Sequence, residues 1–205
     1  MTPGAPPFDA VVLAGGRSTR LGGVPKAGLV LDGETLLERT CTALASALHL
    51  TVVGPVPDDR PATRRASFVR EEPAFAGPAA AVVAAFRASS DRAATRPAAP
   101  WCAVVACDMP RVGELLALLL AEAAEGGDTS LVAVDGGRDQ PLAALYRTDD
   151  LAAAVDAVLA RGSADNLSMR SLLASVSTRY IPVPPGTTHD VDTWQDARAL
   201  GVDVP

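Results

Sequence analysis

A glycine-rich segment that carries three cations follows directly on the first apolar run of the chain. Residues 10–13 read AVVL, which is typical of a buried parallel strand, and residues 13–26 read LAGGRSTRLGGVPK. Glycines after a strand let backbone N–H groups approach an anion, and arginine and lysine supply charge that a triphosphate can pair with. The segment therefore favours a phosphate-binding loop over a solvated turn with ordinary surface cations.

Two common nucleotide-binding motifs are absent from this segment. A P-loop needs serine or threonine after its lysine, whereas Ala27 follows Lys26. A dinucleotide fingerprint needs GxGxxG, which AGGRSTRLGG does not contain. The missing fingerprint disfavours a nicotinamide-dependent oxidoreductase. Nucleotide-using enzymes and non-catalytic nucleotide-binding proteins both stay open.

Short apolar runs alternate with helical patterns along the chain. The predicted strands are residues 10–13, 50–54, 68–69, 101–106, 130–134, 141–147 and 178–183, and the predicted helices are residues 34–48, 78–87, 112–124, 149–160, 167–174 and 193–200. This alternation predicts an α/β protein with a doubly wound, mainly parallel sheet. We expect one domain over residues 1–205, with residues 1–7 frayed. Ligands bind at the carboxyl ends of such strands, which directs attention to residues 15–26, Asp108 and the region around residue 190.

Three local expectations follow from the same patterns. The helix over residues 34–48 is expected to bury one stripe formed by Leu37, Cys41, Leu44 and Leu48. Residues 88–100 are expected to form a polar, proline-bearing loop, and residues 135–140 a turn between two strands.

Composition excludes several classes of protein. The formal net charge of −6 argues against general nucleic-acid binding, which needs a basic face. No apolar run approaches the roughly 20 residues that span a bilayer, and the N-terminus has no signal-peptide pattern, so we expect a cytoplasmic protein without membrane contact. The three cysteines show no CxxC spacing, which supports neither a disulfide framework nor a zinc site.

Five motifs in order give a specific resemblance. LAGGRSTRLGGVPKAGL resembles the signature loop LAGGxxxRMGGxDKxLL of the molybdenum cofactor guanylyltransferases, and the Gly77-Pro78 pair resembles their GPLAG turn. Cys107-Asp108-Met109-Pro110 resembles their metal-binding C-D-[MT]-P. GRDQPLAALYR resembles their acceptor-side strand, and HDVDTWQDARAL their terminal element. Together these motifs are distributed over most of the chain, from residue 13 to residue 200.

The resemblance implies a Rossmann-like fold of the glycosyltransferase-A type and a reaction. Molybdopterin, with or without molybdenum, would attack the α-phosphorus of GTP through its terminal phosphate and release pyrophosphate. The implied catalytic residues are Arg20, Lys26 and Asp108. The implied nucleotide-binding residues are Leu13, Ala14, Gly15, Gly16, Arg17, Lys26, Glu71, Gly77, Pro78 and Asp108, and the acceptor-binding residues are Gln140 and Pro141. Contact with proteins that supply or accept the cofactor is a further expectation, and the oligomeric state stays open.

The resemblance also implies a magnesium ion. Asp108 would be the first ligand and Asp192 the second, with Asp190 as the alternative, because Mg²⁺ takes carboxylate and phosphate oxygens. Mn²⁺ accepts the same ligands. A covalent nucleophile is unnecessary, since the attacking phosphate is already an anion.

Some positions depart from the family pattern. Pro25 stands where the family often has aspartate before the loop lysine, and Gly54 stands where some members have an amide side chain. The turn reads GPAAA rather than GPLAG, and Trp194 replaces a proline. Either Glu71 or Glu72 takes the place of the base-contacting aspartate. These departures keep two alternatives open: a CTP-dependent or sugar-phosphate nucleotidyltransferase, and a non-catalytic nucleotide-binding partner in cofactor delivery.

Overall fold

The computed structural model describes residues 4–56, 61–93 and 97–203. Two predictions fall partly outside these ranges. Residues 1–3 of the expected frayed segment and residues 94–96 of the expected loop over residues 88–100 lie outside the described residues.

Strands and helices alternate through most of the described chain, as predicted. The strands are β1 (Phe8–Leu13), β2 (Val30–Leu31), β3 (Glu34–Thr35), β4 (Leu50–Val53), β5 (Ala66–Val69), β6 (Trp101–Ala106), β7 (Ser130–Asp135), β8 (Arg138–Arg147) and β9 (Thr178–Pro182). The helices are α1 (Leu36–Ala43), α2 (Pro78–Ala93), α3 (Val112–Ala124), α4 (Thr148–Ala160), α5 (Met169–Leu172) and α6 (Trp194–Ala199). The small β2–β3 hairpin was not predicted from the sequence.

Seven strands form one sheet in the order β5-β4-β1-β6-β8-β7-β9. Strands β5, β4, β1 and β6 are mutually parallel, β7 is parallel to β9, and β8 is antiparallel to both of its neighbours. The predicted doubly wound, mainly parallel sheet is therefore confirmed.

The strand register aligns four carboxyl ends at one edge of the sheet. Leu13 pairs with Val53 on one side and with Ala106 on the other, and Val53 pairs with Val69. The chain therefore leaves β1, β4, β5 and β6 at the same level. Residues that immediately follow these strands meet in space although they are far apart in sequence.

Alternating strand residues build a core on each face of the sheet. Val12, Val52 and Val105 pack with α1 and α3 on one face. Val11 and Val104 pack with α2 and α4 on the other. This two-sided burial explains why the strands read as continuous apolar runs rather than as alternating ones.

The predicted helix over residues 34–48 is shorter than expected. Thr35 caps α1 with a reciprocal capping box to Glu38, and the helix ends at Ala43. Leu37, Cys41 and Leu44 are buried as predicted, but the prediction for Leu48 is wrong, since it is 53% exposed. The Leu48 amide donates to the carbonyl of Phe8, so the chain has already left the helix and turned towards β4.

The limits of two predicted loops were also wrong. Helix α2 continues to Ala93, so the first part of the expected loop over residues 88–100 is helical. The turn expected over residues 135–140 is confined to Gly136 and Gly137, whose positive φ angles of 56° and 77° suit a two-residue hairpin turn. Gln140 and Pro141 consequently lie within β8, beside an irregularity in its pairing with β7 that tolerates a proline.

None of the helices in the described ranges combines the length and the apolar character needed to cross a membrane.

Candidate active site

The glycine-rich loop begins at the aligned edge of the sheet. The Ala14 amide donates to the carbonyl of Val53, and the Cys107 amide donates to the carbonyl of Leu13, so the strand end is fixed on both sides. Beyond it, the N–H groups of Gly15 and Gly16 donate to no acceptor among the described residues. These amides are available to an anion at the end of β1.

A cavity of about 740 Å³ opens over this edge. Every residue expected to bind nucleotide lines it: Leu13, Ala14, Gly15, Gly16, Arg17, Lys26, Glu71, Gly77, Pro78 and Asp108. The cavity thus combines backbone amides, two loop cations and two carboxylates. Its volume falls in the range typical of small-molecule sites.

Gly54, which lines the cavity, lies directly against the backbone of Ala14. A Cβ atom on Gly54 would lie 3.0 Å from the carbonyl carbon of Ala14 and 3.1 Å from its Cβ and carbonyl oxygen. A side chain at this position, such as the amide that some family members carry, therefore requires the backbone of Ala14 to give by a few tenths of an ångström.

Gly54→Ala is expected to lower the free energy of unfolding by about 1–3 kcal/mol, because the added methyl group overlaps the backbone of Ala14. Urea denaturation measures the loss. Gly28→Ala is the matched control, since nothing lies within 4 Å of a Cβ built on Gly28. Equal stability of the two variants would contradict the close contact.

Lys26 lies between two carboxylates. Its Nζ donates to Asp108 Oδ2 at 2.7 Å and to Asp192 Oδ1 at 2.5 Å. Burial lowers the pKa of Lys26, but the two carboxylates outweigh burial and hold that pKa above its ordinary value. The lysine is therefore a permanent cation of this site.

Asp190 completes an acidic cluster with Asp108 and Asp192. One carboxylate oxygen from each residue lies within 4.8 Å of the others. Burial raises the pKa of Asp190, and repulsion from Asp108 and Asp192 raises it further. Oxygens that share one Mg²⁺ lie at most about 4.2 Å apart, so small side-chain movements would let the cluster hold the ion. The donor set fits magnesium or manganese.

A small apolar cluster joins the segment that follows β1 to the segment that carries Asp190 and Asp192. Leu21 from the glycine-rich loop and Val191 are both fully buried, and they belong to the same cluster as Leu29, Leu31 and Leu36. The Val191 amide donates to the carbonyl of Asp108 at 3.0 Å. The residues on either side of Val191, Asp190 and Asp192, are thereby held beside Asp108.

A sequence model of the MobA-like NTP transferase domain matches residues 10–179. The chain belongs to that family. As a member of a nucleotidyltransferase family, it is an enzyme of that class.

Curated relatives agree with this membership. A molybdenum cofactor guanylyltransferase of Rhizobium meliloti is 36% identical over 153 residues, which cover 72% of this chain and 68% of the relative. A probable molybdenum cofactor guanylyltransferase of Opitutus terrae is 33% identical over 199 residues, which cover 95% of this chain and 93% of the relative. The resemblance inferred from the five motifs is therefore confirmed.

Solved structures share the fold. Molybdopterin-guanine dinucleotide biosynthesis protein A from Archaeoglobus fulgidus matches with a TM-score of 0.67 at 22% identity, covering 95% of this chain and 97% of that one. A 2-C-methyl-D-erythritol 4-phosphate cytidylyltransferase from Thermus thermophilus matches with a TM-score of 0.58 at 21% identity, covering 93% and 96%. A molybdopterin-guanine dinucleotide biosynthesis protein and a cytidylyltransferase thus share the architecture of this MobA-like chain.

The sequence did not decide whether Glu71 or Glu72 faces the nucleotide site, and the structure places only Glu71 at the cavity. Glu71 lines the cavity, and its Oε1 accepts from the Phe75 amide at 3.0 Å, which fixes the carboxylate in place. Glu72 is exposed and is not among the cavity-lining residues.

Four expected site residues of the MobA-like chain lie off the cavity wall, namely Arg20, Gln140, Pro141 and Asp192, as does the alternative metal ligand Asp190. Arg20 is largely exposed and contacts Asp192 at 3.1 Å. Gln140 and Pro141 are half-buried in β8, next to the cavity-lining Leu142. Arg20 therefore lies at the acidic cluster and not on the cavity wall that carries the loop amides.

Sequence reasoning missed several cavity-lining residues, among them Arg70 and Phe75. Arg70 directly follows the predicted strand at residues 68–69, so the rule about strand ends could have found it. Phe75 lies in none of the sequence motifs, so nothing in the sequence indicated its role. Its ring is half exposed, it has a positive φ of 64°, and the Arg17 guanidinium lies 5.5 Å from the ring centre. This cation–π contact ties the glycine-rich loop to the wall that carries Glu71.

Proposed function

We propose that this enzyme transfers GMP from GTP to the terminal phosphate of molybdopterin, with or without bound molybdenum, and releases pyrophosphate. The observation that carries the proposal is the convergence of free loop amides, Lys26 and an acidic cluster on one sheet edge, in a chain similar to molybdenum cofactor guanylyltransferases.

The proposed reaction forms one bond and breaks one bond. An oxygen of the acceptor phosphate forms a bond to the α-phosphorus of GTP, and the bond from that phosphorus to the bridging oxygen of the β-phosphate breaks. The electron pair leaves with pyrophosphate. Because the attacking oxygen is already anionic, the chain needs no general base, and catalysis consists of positioning and charge stabilisation.

The loop would hold the triphosphate. The N–H groups of Gly15 and Gly16 would donate to phosphate oxygens, and Arg17 and Lys26 would balance their charge. Lys26 can serve the transition state because its ammonium is already partly shielded from water between Asp108 and Asp192. An ammonium in a shielded site stabilises developing charge more strongly than one in water.

Asp108, with Asp192 or Asp190, would hold Mg²⁺ or Mn²⁺ against the phosphates. A divalent ion there would neutralise phosphate charge as the acceptor and the nucleotide approach each other. Arg20 would steady Asp192, which it already contacts.

Glu71 would select the base. Guanine presents N1–H and N2–H₂ as adjacent donors, and a carboxylate accepts from both. The Phe75 amide leaves Glu71 Oε2 and a further lone pair of Oε1 for this purpose. Gln140 and Pro141 would contact the acceptor beyond the phosphates. The cytoplasmic location and the contact with cofactor-supplying or cofactor-accepting proteins stay predictions.

The nucleotide assignment is tested by thermal melting of the protein with magnesium and GTP, ATP, CTP or UTP in turn. GTP at 100 times its Kd is expected to stabilise the fold by about 2.7 kcal/mol, which raises Tm by several degrees. The other three nucleotides are expected to leave Tm unchanged at the same concentration.

Other outcomes redirect the proposal. A shift with CTP alone would support the cytidylyltransferase alternative. A shift with GTP, but no pyrophosphate release when molybdopterin is added, would support a non-catalytic nucleotide-binding partner.

A further inference from the structure

The segment that delivers Asp190 and Asp192 contains neither helix nor strand. It runs from residue 183, after β9, to residue 193, before α6. A stretch of this kind keeps two carboxylates beside Asp108 only if the rest of the molecule holds its backbone. Its hydrogen bonds identify which residues do so.

Asp135, the last residue of β7, holds the middle of this segment. Its Oδ1 accepts from the Gly186 amide at 3.1 Å. Its Oδ2 accepts from the Thr188 amide at 2.9 Å and from the Thr188 hydroxyl at 3.0 Å. Asp135 is 8% exposed, so these three donors replace the water that a carboxylate otherwise binds.

The carboxylate is kept in its charged form. Burial raises the pKa of Asp135, but the donors from Gly186 and Thr188 outweigh burial and hold that pKa below its ordinary value. Hydrogen bonds to an ionised acceptor are stronger than those between neutral groups. At neutral pH Asp135 is therefore ionised and holds the backbone at Gly186 and Thr188 through charge-assisted hydrogen bonds.

Two further anchors bracket the segment. Its first residue, Val183, donates its amide to the carbonyl of Val134 at 3.0 Å. Near its other end Val191 is fully buried and donates to the carbonyl of Asp108. Thr188 is held by Asp135, and Val191 is held by the carbonyl of Asp108. Only residues 189 and 190 lie between these two fixed positions.

We infer that Asp135 is a positioning residue for the metal ligands Asp190 and Asp192. It does not line the cavity, and it acts through Gly186 and Thr188 on the path of the backbone. This inference rests on the metal site of the proposed function. Groups that orient metal ligands from outside the coordination shell are worth about 10- to 100-fold in metal affinity.

The test measures Mn²⁺ binding by electron paramagnetic resonance, with the 205-residue chain and without nucleotide. Asp135→Asn replaces one accepting oxygen by an amide nitrogen, and we expect the Kd for Mn²⁺ to rise about 10- to 100-fold. In turnover, the metal concentration for half-maximal rate should rise while kcat at saturating metal changes less. Asp139→Asn, which removes the same charge from an exposed position on β8, should leave Mn²⁺ affinity unchanged.

A second pair of variants covers the case in which Asp135→Asn fails to fold. Thr188→Val removes one of the three donors, and Thr188→Ser keeps it. We expect Thr188→Val to weaken Mn²⁺ binding by a smaller factor and Thr188→Ser to restore it. Wild-type Mn²⁺ affinity in folded Asp135→Asn, or in Thr188→Val, would overturn the inference.

Failure of this inference is distinguishable from failure of the proposed function. Wild-type protein that releases pyrophosphate from GTP without binding Mn²⁺ would overturn the role of Asp135 and leave guanylyl transfer standing. Wild-type protein that binds Mn²⁺ in an Asp135-dependent manner but uses no GTP would support the role of Asp135 and contradict guanylyl transfer.

Discussion

Asp108→Asn is expected to lower the rate of pyrophosphate release about 1,000-fold at saturating GTP and acceptor. Asp108 is the most shielded carboxylate of the acidic cluster, with its side chain 15% exposed, and it contacts Lys26 directly. Asparagine keeps the shape of the side chain but removes the charge that a divalent ion needs. A 1,000-fold loss corresponds to about 4 kcal/mol of transition-state stabilisation, a size expected when a metal site is broken.

The fold should survive this change. Lys26 keeps its contact with Asp192, and removing Asp108 relieves the repulsion that Asp190 experiences. Tm should therefore stay within a few degrees of the wild type. Asp156→Asn on the exposed face of α4 serves as the charge control. Turnover by Asp108→Asn at the rate of that control would refute the metal assignment.

Lys26→Met is expected to lower kcat about 100-fold and to raise the GTP concentration needed for half-maximal rate. Methionine keeps the unbranched side chain as far as Cε but removes the only ammonium that touches Asp108 and Asp192 among the described residues. Loss of one preorganised donor to developing charge costs about 10²–10³ in kcat. Steady-state kinetics of pyrophosphate release separates the two effects.

The variant Lys26→Arg tests whether positive charge alone is sufficient at this position. Lys26 is the only lysine in the 205-residue chain, while its other basic side chains, histidines aside, are arginines. A compact ammonium fits between two carboxylates, whereas a planar guanidinium with a forked set of donors does not. We expect arginine to restore little of the activity. Full activity of Lys26→Arg would show that charge alone matters at this position.

The central strands and the phosphate loop could be predicted from the sequence because their signals are local. Residues 10–13 and 101–106 are apolar runs that stop at glycine or aspartate, and each forms a strand that ends at the cavity. The glycines and cations of residues 15–26 are contiguous, so their common role is visible in the sequence alone.

The remaining features depend on contacts between distant residues. Leu48 fits the helical stripe by spacing, but the hydrogen bond to Phe8 draws its backbone away from that helix. Asp135 looks like an ordinary turn residue before two glycines, and its partners lie some 50 residues further along the chain. Glu71 and Glu72 are adjacent in sequence, and only the fold decides which of them faces the cavity.

The contact between Gly54 and Ala14 limits how this enzyme can change its substrate. Because a Cβ atom on Gly54 would lie 3.0 Å from the carbonyl carbon of Ala14, a side chain there requires the end of β1 to give by a few tenths of an ångström, so this part of the cavity is costly to reshape by a single substitution. The loop that carries Arg70, Glu71 and Phe75 has no such limit, since Phe75 is half exposed. Evolution or engineering of a new base preference would therefore proceed through this loop.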